Sequence, residues 1–264
     1  MKTNNGLIFD KNDLSSPDID NAGFHNSIYR GKDITSYLSD RSLWTRISSG
    51  KFIDLFIGDY FNVTLNGTSH KMEIAAFDWF YNSGFPKLTK HHIVIIPEKN
   101  LEYGTMNSSN TTSGGYVGSN MFKSILPVFA SYLETALGAA HVLQTGEYLT
   151  SGVDTNAKNV MRPDLTGASN ACEFKSSKAN LLSETEVYGY LSCGSSGYEC
   201  AMGNSNQLPL FRLNPSKILI NDDYYRLRTI ASSSFFCNVD GFGGSADYGR
   251  ADDALGIRPR FVIG

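Results

Sequence analysis

Charge, tryptophan and cysteine are all scarce in this chain of 264 residues: 19% of the residues are charged, two are tryptophan and four are cysteine. The 23 Lys and Arg against 26 Asp and Glu leave a formal net charge of −3. With no basic block, the chain lacks the electrostatic footprint of a protein that grips nucleic acid by its phosphates. Met1 to Asp13 hold no apolar run of signal-peptide length. The longest apolar stretch, Ser124–Leu143, is interrupted by Pro127, Ser131, Glu134 and Thr135, so no membrane insertion is expected. The cysteines, Cys172, Cys193, Cys200 and Cys237, form no C-x-x-C pair that would place two thiolates on one zinc ion. Cys193 and Cys200 lie seven apart in a Gly/Ser-rich loop and could meet in an oxidising setting. Without an export segment they read as free thiols.

Enzymatic motifs are missing as well. There is no G-x-S-x-G elbow, since Gly194-Ser-Ser-Gly197 has the wrong spacing, and no H-E-x-x-H among the five histidines. His91-His92 leads into an apolar strand, so one imidazole faces the core and both read as structural. Gly241-Phe-Gly243-Gly244-Ser-Ala246 fits G-x-G-x-x-A on paper, but the 18 residues after Ala246 cannot complete a βαβ unit. Asn221-Asp222-Asp223 matches no EF-hand loop and reads as a turn. No metal and no cofactor are expected.

What is present is a folded chain, 41% hydrophobic, of a length that suits one large domain. Its 25 Gly, 14 Tyr and 16 Phe, with so little charge, suit long ordered loops and adaptable contact surfaces. Residues 1–28 are polar and read as an N-terminal arm, followed by one α+β domain over 29–264. Ile34, Tyr37, Leu38, Trp44 and Ile47 recur at helical spacing up to Gly50. Alternation on both sides of Asn66-Gly67 predicts a type I′ hairpin. His92–Ile96, closed by Pro97, reads as a buried strand, and Ala140–Leu143 as a short one. Ser119–Leu137 reads as a helix kinked or delayed by Pro127. The signal thins from Thr145 to Gln207, apart from a capping box at Ser183 and Glu186. Short strands and glycines fill Tyr224 to Gly264.

That tail carries the most information. Thr229–Asp253 contains no Lys, Glu, Gln, Met or Trp, although the chain holds 32 of these. Every residue type in that segment can be encoded by a codon ending in a pyrimidine, and the mix of Ser, Phe, Asp, Gly and Tyr makes plastic contact surfaces. Tyr225–Arg228 and Arg258–Ile263 bracket the segment and are expected to pair, with Arg228 and Arg258 bonding carbonyls or carboxylates beneath it.

Tyr225-Arg-Leu-Arg228 with Gly256-Ile-Arg-Pro259 resembles the W/Y-x-L-R … G-V/I-R-P signature of a family of phage and prophage proteins. Arg30-Gly-Lys-Asp-Ile-Thr35, Gly58-Asp-Tyr60, His91–Pro97, Asn110–Ser119 and Phe211-Arg-Leu-Asn-Pro215 are similar to the same family, so the resemblance runs from about residue 29 to the end. It implies a C-type lectin-like fold. Some relatives are variable proteins of diversity-generating retroelements, in which adenine-templated codons near the 3′ end are rewritten and the resulting residues bind a receptor. On that basis the ligand-binding residues are Thr229, Ser234, Phe235, Phe236, Asn238, Asp240, Phe242, Asp247, Tyr248, Arg250, Asp252 and Asp253. The partner is then a protein or cell-surface receptor, with a homotrimer by analogy with tropism determinants. The implied location is a virion, or the bacterial host cytoplasm before assembly. The Ca²⁺-ligating triplets of sugar-binding C-type lectins are absent. Two other functions compete with receptor binding: a virion decoration or tail component whose tail segment makes subunit contacts, and an oxygen-dependent formylglycine-generating enzyme of related fold. The enzyme needs a closely spaced C-terminal cysteine pair, which Cys193, Cys200 and Cys237 do not supply in sequence.

Overall fold

The structure is a computed structural model and describes residues 21–200 and 207–264. It is an α+β fold, mostly β, in which one sheet curls into a half-barrel. The strands are β1 (Tyr60–Leu65), β2 (Thr68–Phe77), β3 (Ile93–Pro97), β4 (Glu102–Gly104), β5 (Val142–Leu143), β6 (Thr145–Lys158), β7 (Thr166–Ser177), β8 (Ala179–Leu181), β9 (Tyr225–Ile230), β10 (Phe235–Val239), β11 (Ala246–Arg250), β12 (Leu255–Ile257) and β13 (Pro259–Ile263). The helices are α1 (Ala22–His25), α2 (Thr35–Ser39), α3 (Ser42–Ser48), α4 (Gly115–Gly118), α5 (Leu126–Leu137), α6 (Glu184–Tyr188) and α7 (Pro209–Leu213). One sheet runs β1-β2-β3-β13-β5 with β8 also on β13, a second runs β11-β10-β9-β12-β4, and β6 and β7 form a separate ribbon.

The hairpin at Asn66-Gly67 is as the sequence predicts. Both residues have positive φ, 45° and 81°, as a turn matching the strand twist requires. β3 is buried along its whole length and pairs with the C-terminal β13. Pro127 sits in the first turn of α5, directly after a single π-type turn over Met121–Ile125. α6 carries the expected capping box: Glu186 N–H donates to Ser183 Oγ, and Ser183 N–H to the Glu186 carboxylate.

Other expectations are corrected. The helical pattern over 34–47 splits into α2 and α3, because Arg41 between them adopts a left-handed φ of 63°. Residues 21–28 do not belong to an arm: His25 is 1% exposed and its Nδ1 lies 2.6 Å from the Leu55 carbonyl. Residues 1–20 lie outside the described residues. β9 does not pair with the closing strand β13, which lies in the other sheet. β9 instead meets β12 in parallel, Tyr225 opposite Gly256. Only glycine fits at 256, since a Cβ there would lie 1.9 Å from Asn100 Nδ2 and 2.5 Å from the Tyr224 carbonyl oxygen. Among the described residues, no helix is long and apolar enough to cross a membrane.

Candidate binding surface

The segment 229–253 is not one outward face. Thr229, Phe236 and Asn238 are buried, so these three are corrected from contact residues to interior ones. Thr229 Oγ1 accepts from Glu184 N–H at 2.9 Å, which ties β9 to the start of α6. Phe236 belongs to the hydrophobic core. β10, between β9 and β11, is buried from Phe236 to Val239, whereas β11, which among the described residues pairs with β10 alone, is part-exposed along its length.

Nine of the twelve expected residues reach solvent in part or in full: Ser234, Phe235, Asp240, Phe242, Asp247, Tyr248, Arg250, Asp252 and Asp253. They fall on the edge strand β11, on the Asp240–Ser245 turn, on the Arg250–Asp253 turn and at the start of β10. The G-x-G-x-x-A match is the β10–β11 turn, with no helix after it. Asp240 shapes that turn, since its carboxylate accepts from Phe242 N–H at 3.2 Å and Gly243 N–H at 2.9 Å. Those backbone donors, Phe242 first, hold its carboxyl below the usual range. Phe242 is 74% exposed and its ring meets Tyr224 edge-on at 5.9 Å. Arg250 forks onto the Asp252 carboxylate at 2.9 and 3.0 Å.

Phe235 and Tyr248 face the same way, with ring centroids 5.4 Å apart. Arg162 lies against Tyr248, its guanidinium carbon 5.0 Å from the ring centroid and one N–H donating to the phenol oxygen at 3.2 Å. Val160 and Met161 beside it are exposed, as is Tyr190, whose ring is 6.1 Å from that of Tyr188. The Tyr188 hydroxyl donates to the Gly244 carbonyl at 2.9 Å and so joins this region to the β10–β11 turn. Val160–Arg162 come from the stretch in which the sequence signal thins, and Tyr190 ends the short amphipathic piece that the capping box opens. An exposed Arg–aromatic loop leaves no pattern there, and its closeness to the hairpin is a product of the fold.

The surface is braced from beneath. Buried Arg226 donates to the carbonyl oxygens of Gly249, Arg250 and Asp253, and so fixes the last turn of the segment through its backbone alone. Burial lowers its guanidinium to about 10. Asn159 does the same for the neighbouring loop. Its Nδ2 donates to the Cys193 and Ala231 carbonyls, both at 2.7 Å, and its Oδ1 accepts from Met161 and Arg162 N–H. Arg258 donates to the Pro97 and Lys217 carbonyls, the framework role expected of it. Arg228 bonds carboxylates as well as the Leu181 carbonyl: with Arg260 it faces Glu147 and Glu186 in a buried group of two cations and two anions. Burial alone would raise the Glu147 carboxyl, but Arg260 and Arg228 outweigh it and hold it at about 2.

Two more carboxyls, Glu184 and Glu199, are buried and, among the described residues, form no ion pair. Burial raises both, Glu199 to about 8. The thiols of Cys193 and Cys237 are free, buried and pushed up by desolvation, the state of a thiol rather than a thiolate. The side chain of Cys200, the other member of the pairing considered above, lies outside the described residues. Among the described residues, no three or more His, Cys, Asp or Glu gather into a metal-holding group. Comparison with family models, curated proteins and solved structures finds no match to this chain.

Proposed function

We propose that this chain is a non-catalytic ligand- or receptor-binding protein, encoded by a phage or prophage, that displays a hypervariable surface on a C-type lectin-like scaffold. The observation that carries this reading is the sorting of segment 229–253. Its solvent-reaching side chains collect on one edge strand, two turns and the start of β10, while Arg226 holds the backbone of the last turn by bonds to carbonyl oxygens that every residue type possesses. Side chains can then change without loss of the frame, as a rewritten segment requires. Phe235, Phe242 and Tyr248 supply rigid aromatic contact area. Asp240, Asp247, Asp252 and Asp253 outnumber Arg250, so the matching receptor site carries net positive charge and binding weakens with salt. The buried, protonated thiols favour this reading over an oxidase.

The test is to sequence the 3′ end of the gene deeply in a growing population. Substitutions clustered at the exposed positions, with Thr229, Phe236 and Asn238 constant and a near-copy template nearby, support the reading. An invariant region with no template removes it.

A second reading, a virion structural component, is favoured by a different patch. Phe85 and Phe174 are 71% and 46% exposed with rings 5.9 Å apart, and Tyr148 lies 5.1 Å from Phe174. Such a patch suits contact between copies. If it alone serves assembly, the double variant Phe85→Ser, Phe174→Ser stays monomeric by light scattering under conditions where the parent associates.

A further inference from the structure

The strap Cys193–Glu199 lies between the interior acids and the surface loop, and its contacts run in both directions. Inward, Cys193 and Gly194 N–H donate to the two oxygens of Glu184 at 2.8 and 2.9 Å. Ser195 N–H donates to the Ile230 carbonyl at 2.8 Å, and Ser195 Oγ accepts from Ser169 N–H at 2.9 Å. Ser196 Oγ donates to the Ser169 carbonyl at 2.7 Å. Glu199 closes the strap: one carboxyl oxygen bonds Ser169 Oγ and the other accepts Ile230 N–H at 2.9 Å. Outward, the strap offers the Cys193 carbonyl to Asn159 and the Ser195 carbonyl to Val160 N–H at 3.1 Å. These contacts place Val160, Met161 and Arg162.

We propose that Glu199 is a proton-operated latch: protonated, it locks the strap and the Asn159–Arg162 loop in place, and ionised, it lets both loosen. Describing that loop as half of a binding surface rests on the function proposed above; the latch itself does not. The groups facing Glu199 come from four elements. Ser169 and Cys172 lie on β7, Glu184 on α6, Arg228 on β9 and Cys237 on β10. Arg228, the cation among them, is already shared between Glu147 and Glu186. Glu184 accepts two backbone N–H groups and is the better placed of the two acids to hold a negative charge, which opposes a second charge on Glu199. Burial and that neighbour raise the Glu199 carboxyl to about 8. Ionising it in place leaves an uncompensated buried anion, and releasing the strap hydrates it.

Hydrogen exchange of the intact chain, corrected for the intrinsic pH dependence of exchange, reads the latch with no ligand present. The amides of Val160, Gly194, Ser195 and Ile230 are expected to lose protection by about tenfold for each step of one in pH between about 5 and 8, because the opened strap exposes a carboxyl of ordinary acidity. Beyond pH 8, where Glu199 is ionised in the closed strap as well, the loss levels off. Glu199→Gln, which keeps the shape and both hydrogen bonds but cannot ionise, is expected to give a flat profile. A wild-type profile flat to pH 9.5 overturns the latch, as does an unchanged slope in Glu199→Gln. Should that variant fail to fold, carboxyl ¹³C titration of the wild type decides: a Glu199 midpoint above 7 supports the latch and one below that overturns it. Failure of the population sequencing leaves these results standing, so the two ideas fall separately.

Discussion

Arg226 and Phe242 show how differently two residues of one surface are used. Arg226 is buried, and its side chain is occupied by three carbonyl oxygens in the last turn of the segment. Lysine cannot reproduce the fork, because it is a compact point charge with a different donor geometry. Arg226→Lys is therefore expected to cost about 2–3 kcal/mol, the scale of losing bonds from a charged donor to buried acceptors. Phe242→Ala removes a ring that is mostly in water and is expected to stay within about 0.5 kcal/mol of the parent. Urea unfolding of the two variants checks both, and equal losses would mean that the turn is core rather than surface. The sequence marks Phe242, in the biased window, but not Arg226, which occupies the unspecified position of the Tyr-x-Leu-Arg bracket while Arg228 and Arg258 are the arginines it points to. It could not separate Phe235 from Phe236, because neighbours on a strand point to opposite faces and nothing local says which face is covered.

At the scale of elements, the sequence was legible wherever local chemistry dictates structure. Asn66-Gly67, the Ser183–Glu186 box and the apolar run closed by Pro97 each name their own conformation. The β6–β7 ribbon, the longest paired element among the described residues, was not legible. Its strands are rich in Thr, Ser, Gly, Ala and Asn, and their burial follows contacts with distant loops rather than an alternating pattern. Gly146 shows the cause. The Phe85 N–H donates to its carbonyl at 3.1 Å, and a Cβ at 146 would lie 2.2 Å from the Phe85 carbonyl oxygen. Backbone rather than side chain makes this contact, so the 78–92 loop and β6 cannot both keep their places with a larger residue there. Gly146→Val is expected to undock that loop, lowering the melting temperature by several degrees and raising exchange at Phe85 while Ile93–Ile96 stays protected. The pairing of β9 with β12 rather than β13 was hidden for a related reason: parallel pairing at a single position, permitted by one glycine, carries no periodic signal.

The whole molecule is tied together by its buried charges, which predict how its stability responds to pH. Arg228 on β9 and Arg260 on β13 belong to different sheets, Glu147 to the ribbon and Glu186 to α6, so one group of four joins three sheets. Removing a single partner leaves the others unbalanced. Glu147→Gln is accordingly expected to cost about 3–5 kcal/mol, more than any surface exchange in the binding segment. The ordinary value for either acid is 4.5; in the folded chain Glu147 lies at about 2 and Glu199 at about 8. For Glu147 the unfolded chain binds the proton more readily, so its stabilisation is complete above pH 4.5 and disappears as pH falls toward 2. For Glu199 the folded chain keeps the proton, so stability declines as pH rises from 4.5 toward 8 and levels off beyond. Glu147 contributes on the order of 3 kcal/mol over its window and Glu199 on the order of 5, because a tenfold change in acidity is worth about 1.4 kcal/mol. The two windows meet near pH 5, which is where the urea midpoint is expected to be highest. Glu199→Gln should flatten the alkaline limb and leave the acid limb untouched. A midpoint that rises steadily from pH 5 to pH 8 would show that Glu199 is ionised in the folded chain, and the strap would then need a cation that the described residues do not bring to it.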